Sequence, residues 1–208
     1  MHVKNVYTKG KSVEEVQKAL ILLHGRGAGA RDILELARHL HVDEFALIAP
    51  QATNNTWYPY SFLVPPAKNE PWLSSALALV KELLDEVKAQ GIPAENIYFA
   101  GFSQGACLTL EFVCRHATRY GGIAAFTGGL IGDKINEENY SGDFAGTPVL
   151  ISSGNPDPHI PVDRIEESVE VLERMNAKVD KRIFVNRPHI ITNEEIDLAN
   201  ELIFGKKI

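Results

Sequence analysis

The sequence contains two cysteines, no run of lysine or arginine, and no apolar stretch near the length of a membrane span. With 27 acidic against 21 basic residues and a net charge of −6, the chain lacks the electrostatic footprint of a nucleic-acid binder, and no nucleic acid is expected as a partner. The acidic excess is mild and favours solubility over an acidic function. A spanning helix needs about 20 consecutive apolar residues, so no membrane span is expected. The opening stretch MHVKNVYTKGKSVEE has no apolar h-region, so no secretory signal is expected. Cys107 and Cys114 lie on one face of a predicted helix, two turns apart. That separation is too large for a disulfide, and both are expected as buried thiols. These features point to a soluble protein of a reducing compartment, the cytoplasm.

What the chain does have is apolar surface: 45% of its 208 residues are hydrophobic, enough for one substantial core, and residues 1–208 read as a single domain. No internal repeat, low-complexity tract or linker interrupts it. Short apolar runs at 18–25, 45–50, 96–102, 122–129, 148–154 and 178–185 read as strands. Helical periodicity covers 30–40, 71–91, 104–117, 163–177 and 192–204. The alternation predicts an α/β fold, a mostly parallel twisted sheet with helices on both faces. Two segments break it: 51–70, rich in proline, asparagine and aromatics, and the polar 130–147. Long loops in compact domains are often functional. The second is read as ordinary surface structure.

The stretch NIYFAGFSQGACLTL (96–110) places Ser103 between Gly101 and Gly105, after a predicted strand and before a predicted helix. A serine there is either a helix N-cap or a nucleophile. The G-x-S-x-G pattern fits a tight turn that lifts the hydroxyl above the carboxyl edge of the sheet, with the amides of the following helix aimed at the same place. A serine hydroxyl needs a base, and the base needs an orienting acid, in the chain order Ser, Asp/Glu, His. His116 lies in the helix after the turn and reads as a helix C-terminal cation. His159 follows Pro158 directly, and His189 sits in the loop after the last strand, where the active edge of such a sheet lies. His189 is taken as the base. Asp157, stiffened between Pro156 and Pro158 after a predicted strand, is taken as the acid, with Asp133 its rival. The oxyanion hole calls for the backbone N–H of Gln104 and a second from the glycine-rich LLHGRGAG (22–29), assigned to Arg26. The Arg26 guanidinium either faces the site or is solvated, and His24 supports the loop. In TWYPYSFLVPP (56–66), Trp57, Tyr58, Tyr60 and Phe62 either hold the loop down or wall an apolar pocket beside Ser103. The second alternative predicts esters of small to medium apolar or aromatic groups, with Trp57, Tyr58 and Phe62 as pocket residues.

With Leu23-His24-Gly25-Arg26-Gly27, Gly101-Phe102-Ser103-Gln104-Gly105 and Gly154-Asn155-Pro156-Asp157-Pro158-His159-Ile160-Pro161, nearly the whole chain resembles the carboxylesterase/phospholipase family of α/β-hydrolases. Acyl-protein thioesterases and small bacterial carboxylesterases belong to that family. The resemblance implies the α/β-hydrolase fold, a triad of Ser103, Asp157 and His189, oxyanion donors at Arg26 and Gln104, a small-molecule ester substrate, and no cofactor or metal. The family's acid motif, G-x-x-D-x-x-V-P, matches Gly154, Asp157 and Pro161, with Ile160 in place of valine. The chain departs from the family at Pro188, which stands where a glycine usually precedes the base, at Ala28, and in TWYPYSF. These departures point away from lipidated proteins as substrates and leave ester hydrolysis intact. Thioesterase or lysophospholipase activity is the alternative within the family.

Two other classes compete. Gly25-Arg26-Gly27-Ala28-Gly29-Ala30 also fits the dinucleotide fingerprint G-x-G-x-x-A, which suggests an oxidoreductase. That fingerprint wants a carboxylate at the end of the next strand, and the chain has Pro50-Gln51 there. A non-catalytic hydrolase-like binding module leaves Ser103, Asp157 and His189 without a purpose. Nothing in the composition excludes a homodimer.

Overall fold

A computed structural model of the protein describes residues 1–205. Six of its strands are the apolar runs of the sequence: β2 (Lys18–Leu23), β3 (Phe45–Pro50), β4 (Ile97–Phe102), β5 (Gly122–Phe126), β6 (Pro148–Asn155) and β7 (Lys178–Val185). They pair in parallel. The seventh, β1 (Val6–Gly10), pairs antiparallel with β3 and completes a sheet of order β1-β3-β2-β4-β5-β6-β7. β1 was absent from the sequence reading because VYTKG is a short edge segment with only partial burial, too weak for a period-two signal. β2, β3, β4 and β5 are apolar almost throughout because both faces of the sheet are covered.

Helices α2 (Trp72–Ala89), α3 (Gln104–Arg115) and α4 (Val162–Arg174) contribute to the core on one face. α1 (Ala30–Leu36) and α5 (Asn193–Ala199) contribute to the core on the other. α2 buries Leu73, Ala76, Leu77, Val80, Leu83, Leu84 and Val87, a three-and-four spacing that puts one stripe on the sheet. The helix expected over 30–40 ends as α1 and continues as a 3-10 turn at Ala37–His39. The helix expected over 192–204 passes from α5 into a π-helical turn at Asn200–Phe204. Asn200 explains the docking of that turn: its side chain accepts from the His41 amide and donates to the His39 carbonyl, joining it to the end of the 3-10 turn.

Both long loops are held by buried polar side chains. In 130–147, the Ile131 amide and the Tyr140 hydroxyl donate to Glu111. The Arg164 guanidinium donates to the carbonyls of Leu130, Gly132 and Asp133. Much of this loop is exposed, as its polar sequence suggests, and these bonds anchor it at a few points. In 51–70, the buried Asn69 accepts from the Tyr60 amide and donates to the Ser61 carbonyl.

Candidate active site

Ser103 occupies the single position between the end of β4 and the start of α3, with φ 54° and ψ −118°. A serine at positive φ is strained, and such strain persists only where the surroundings over-determine it. The surroundings are backbone. A Cβ on Gly101 would lie 2.5 Å from the Gly105 carbonyl oxygen, and one on Gly105 would lie 2.1 Å from that of Leu23. Both positions exclude any side chain, which is why the turn is written G-x-S-x-G. The Ser103 hydroxyl makes no capping bond to α3. Its Oγ lies 2.9 Å from Nε2 of His189.

His189 stands in the loop after β7, and its Nδ1 lies 2.8 Å from Oδ2 of Asp157. An ionised carboxylate only accepts, so Nδ1 carries the proton and Nε2 is free to receive one from the serine. The imidazole is 21% exposed and the Asp157 side chain is wholly shielded. Asp157 Oδ1 accepts from the amides of His159 and Ile160 at 2.9 and 3.0 Å. Burial pushes the Asp157 carboxyl up, but the bonds from His189 and these two amides outweigh it and hold its pKa below the ordinary value. The rival acid, Asp133, is exposed in the 130–147 loop, where its carbonyl accepts from Arg164. His159 is exposed and stands edge-on to the His189 ring, centroids 5.0 Å apart. His116 caps α3 against Phe112. It stands at the helix C-terminus, as expected, and burial, with Lys81 and Arg115 nearby, lowers its pKa from the ordinary value.

The glycine-rich loop after β2 comes within touching distance of Ser103: a Cβ on Gly25 would lie 3.5 Å from that of the serine. Arg26 follows Gly25, and Gln104 is the first residue of α3, so its amide is one of the donors that a helix leaves without a helical acceptor. The two side chains have a use the sequence did not reveal. The Arg26 guanidinium donates to the carbonyls of Pro59 and Tyr60 at 2.8 and 2.7 Å. The Gln104 amide accepts from the Trp57 N–H and donates to the Tyr58 carbonyl, at 2.9 and 2.8 Å. Both residues therefore pin the aromatic loop against the Ser103 turn. The partners lie 33 to 47 positions apart in the chain, so no local pattern announces them. His24 supports the same region, as expected, through Gly25 and the Ala52 amide. The Ala52 amide donates to its Nε2, which places the ring proton on Nδ1.

A cavity of about 640 Å³ opens beside Ser103 and His189, with Tyr58, Tyr60, Phe62, Leu63, Ile160 and Cys107 among its walls. Trp57 is not in that lining, which corrects its assignment to the pocket. It is fully buried behind the loop, its indole N–H donating to the His24 carbonyl at 2.8 Å and its ring packed on His24 and His2. The aromatic segment thus does both things the sequence left open: Trp57 holds the loop down, and Tyr58 and Phe62 face the cavity. Among the described residues no cluster of three or more His, Cys, Asp or Glu side chains could hold a metal ion. No helix among them is long and apolar enough to cross a membrane. The position where a dinucleotide site wants a carboxylate holds Gln51, whose Oε1 instead accepts from the Ala30 amide at the start of α1.

The profile of the phospholipase/carboxylesterase family matches residues 9–204. A crystal structure of a phospholipase/carboxylesterase from Dyadobacter fermentans superposes with a TM-score of 0.97 at 58% identity, covering 98% of each chain. A probable carboxylesterase, SOBER1-like, from Arabidopsis thaliana is 30% identical over 62% of this chain and 49% of its own. The chain thus spans about half the length of the first curated relatives it matches. Acyl-protein thioesterase 1 from Eremothecium gossypii is 31% identical over 69% of this chain and 67% of its own.

Proposed function

The chain belongs to the phospholipase/carboxylesterase family of α/β-hydrolases, and from that premise we propose that it is a serine hydrolase of carboxylic esters, a single domain over residues 1–208. The observation that carries the reading is the continuous relay from Ser103 Oγ through His189 to Asp157, seated at a strained strand–helix turn. In this reading Ser103 Oγ attacks the ester carbonyl carbon while Nε2 of His189 takes its proton. The oxygen that becomes negative lies against the amides of Arg26 and Gln104. Collapse breaks the bond to the leaving alkoxide, which takes the proton back from His189 and departs as the alcohol. The acyl group remains as an ester on Ser103. Water, deprotonated by the same nitrogen, then releases the acid and restores the serine. Asp157 stays ionised throughout, and the same contacts that depress its pKa keep it able to stabilise the imidazolium. The two buried thiols support a reducing compartment, the cytoplasm.

The test is direct. A serine-reactive phosphonate should add one adduct, on the peptide that carries Ser103, and purified protein should turn over p-nitrophenyl esters. No turnover on any activated ester or thioester, together with no adduct, would leave a binding module. Faster turnover of matched thioesters than of oxygen esters would favour the thioesterase reading, which the Eremothecium relative's name suggests.

The cavity walls support small to medium apolar or aromatic groups as the preferred substrates. A buried methylene gains about 0.8 kcal/mol, close to fourfold in kcat/KM per carbon. Phe62→Ala should therefore lower kcat/KM for hexanoate or phenylacetate esters several-fold more than for acetate esters. Trp57→Ala should behave differently: it should cost about 3–5 kcal/mol of stability and leave the ratio between substrates unchanged. Equal losses on both substrate types in Phe62→Ala would show that the selective wall lies elsewhere.

A further inference from the structure

We propose that Arg187 is a positioning residue for the base: its buried guanidinium clamps the backbone on both sides of His189 and ties it to the strand end that receives the nucleophile's amide. This rests on His189 being the base. The loop that carries His189 has modest apolar anchorage: Ile190 is 49% exposed, and Ile191 is only partly buried against the core. Pro188, immediately before the base, has no N–H to contribute. Arg187, by contrast, points inward, with its side chain 4% exposed. Its Nη1 donates to the carbonyls of Pro188, at 2.9 Å, and Ile190, and these two residues bracket His189. Its Nη2 donates to the Thr127 hydroxyl at 2.7 Å and lies 3.3 Å from the carboxylate of Glu195, whose side chain is fully buried.

Each partner is itself fixed. Thr127 directly follows β5, whose last residue, Phe126, accepts the Ser103 amide at 3.0 Å. Thr127 holds φ 60°, a strained conformation for a β-branched residue, with its hydroxyl on the guanidinium. Glu195 also accepts from Ser152 on β6 and from the Thr192 amide and hydroxyl at the start of α5. The close approach is built into the β6 backbone as well: a Cβ on Gly154 would lie 2.4 Å from the Arg187 carbonyl oxygen. The glycine that opens the acid motif therefore makes room for the base loop. One rigid, forked group thus links β5, β6, α5 and both flanks of the base. A buried ion pair adds little net stability, whereas a planar guanidinium that serves four acceptors at once defines a geometry.

Arg187→Lys keeps the charge opposite Glu195 but cannot reach the same acceptors together. The paired variant Arg187→Met with Glu195→Gln removes both buried charges, so that neither is left unpaired. In whichever folds by circular dichroism, kcat for an activated ester should fall on the order of 10²-fold with KM unchanged. The downfield proton resonance of the His189 Nδ1–H in the free enzyme should shift or broaden. Unchanged kcat, or a loss that merely follows the folded fraction with the resonance intact, would overturn the proposal. His189→Ala separates the two readings. If it stays active, the assignment of the base fails. If it is inactive while the folded Arg187 variants keep full kcat, only the clamp fails.

Discussion

Replacing Ser103 with alanine should lower kcat on activated esters on the order of 10⁶-fold, by the precedent of serine hydrolases whose nucleophile is removed, and should abolish the phosphonate adduct. No neighbouring group can take over. Cys107 lies one helical turn on and lines the same cavity, but burial pushes its thiol up to about 12, so it stays protonated at neutral pH. The Tyr58 hydroxyl, also raised by burial, is no better a nucleophile. In the proposed mechanism the amides of Arg26 and Gln104 and the binding of substrate survive the substitution and account for a small residual rate. The fold should be indifferent, because the serine side chain caps nothing and its amide bond to Phe126 is retained. Initial rates, intact mass after labelling and a thermal melt read the three outcomes. An adduct that persists in Ser103→Ala would move the nucleophile elsewhere.

Asp157→Asn should preserve the fold and cut kcat on the order of 10⁴-fold. The reason lies in which way the new amide must turn. Asp157 Oδ1 accepts from the amides of His159 and Ile160. An asparagine can satisfy those two donors only with its oxygen, which leaves its NH₂ facing Nδ1 of His189. Nδ1 then becomes an acceptor, the ring proton moves to Nε2, and the base presents a donor to the serine hydroxyl instead of a lone pair. Asp133→Asn, on an exposed loop residue, should leave kcat near the parent value. Comparing kcat, KM and circular dichroism of the two variants decides between them. If Asp133→Asn is the slow enzyme, the acid has been misassigned.

The apolar runs, the helical spacings and the G-x-S-x-G turn are local signals, and they were enough to read six of the seven strands, the mostly parallel sheet and the strand–serine–helix geometry. Burial on both faces writes a continuous apolar run into a central strand, and a backbone approach of 2.1 Å admits only glycine, so both features are printed in the residues themselves. The choice of Asp157 and His189 drew on chain order, proximity to strand ends and a resemblance, whereas their contact is a distance between segments 32 residues apart. β1 escapes the sequence because its five residues, VYTKG, are too few and too polar to show a period-two alternation. The wall of the cavity was only half legible. TWYPYSF names an aromatic loop, but which ring points into the cavity and which packs beneath it follows from packing against His24 and Gln104. The same holds for the side chains of Arg26, Gln104 and Arg187, whose acceptors are mostly backbone carbonyls. A carbonyl belongs to every residue, so the sequence by itself determined which strand ends carry Ser103, Asp157 and His189, and only the tertiary structure decided which long polar side chains hold the loops around them in place.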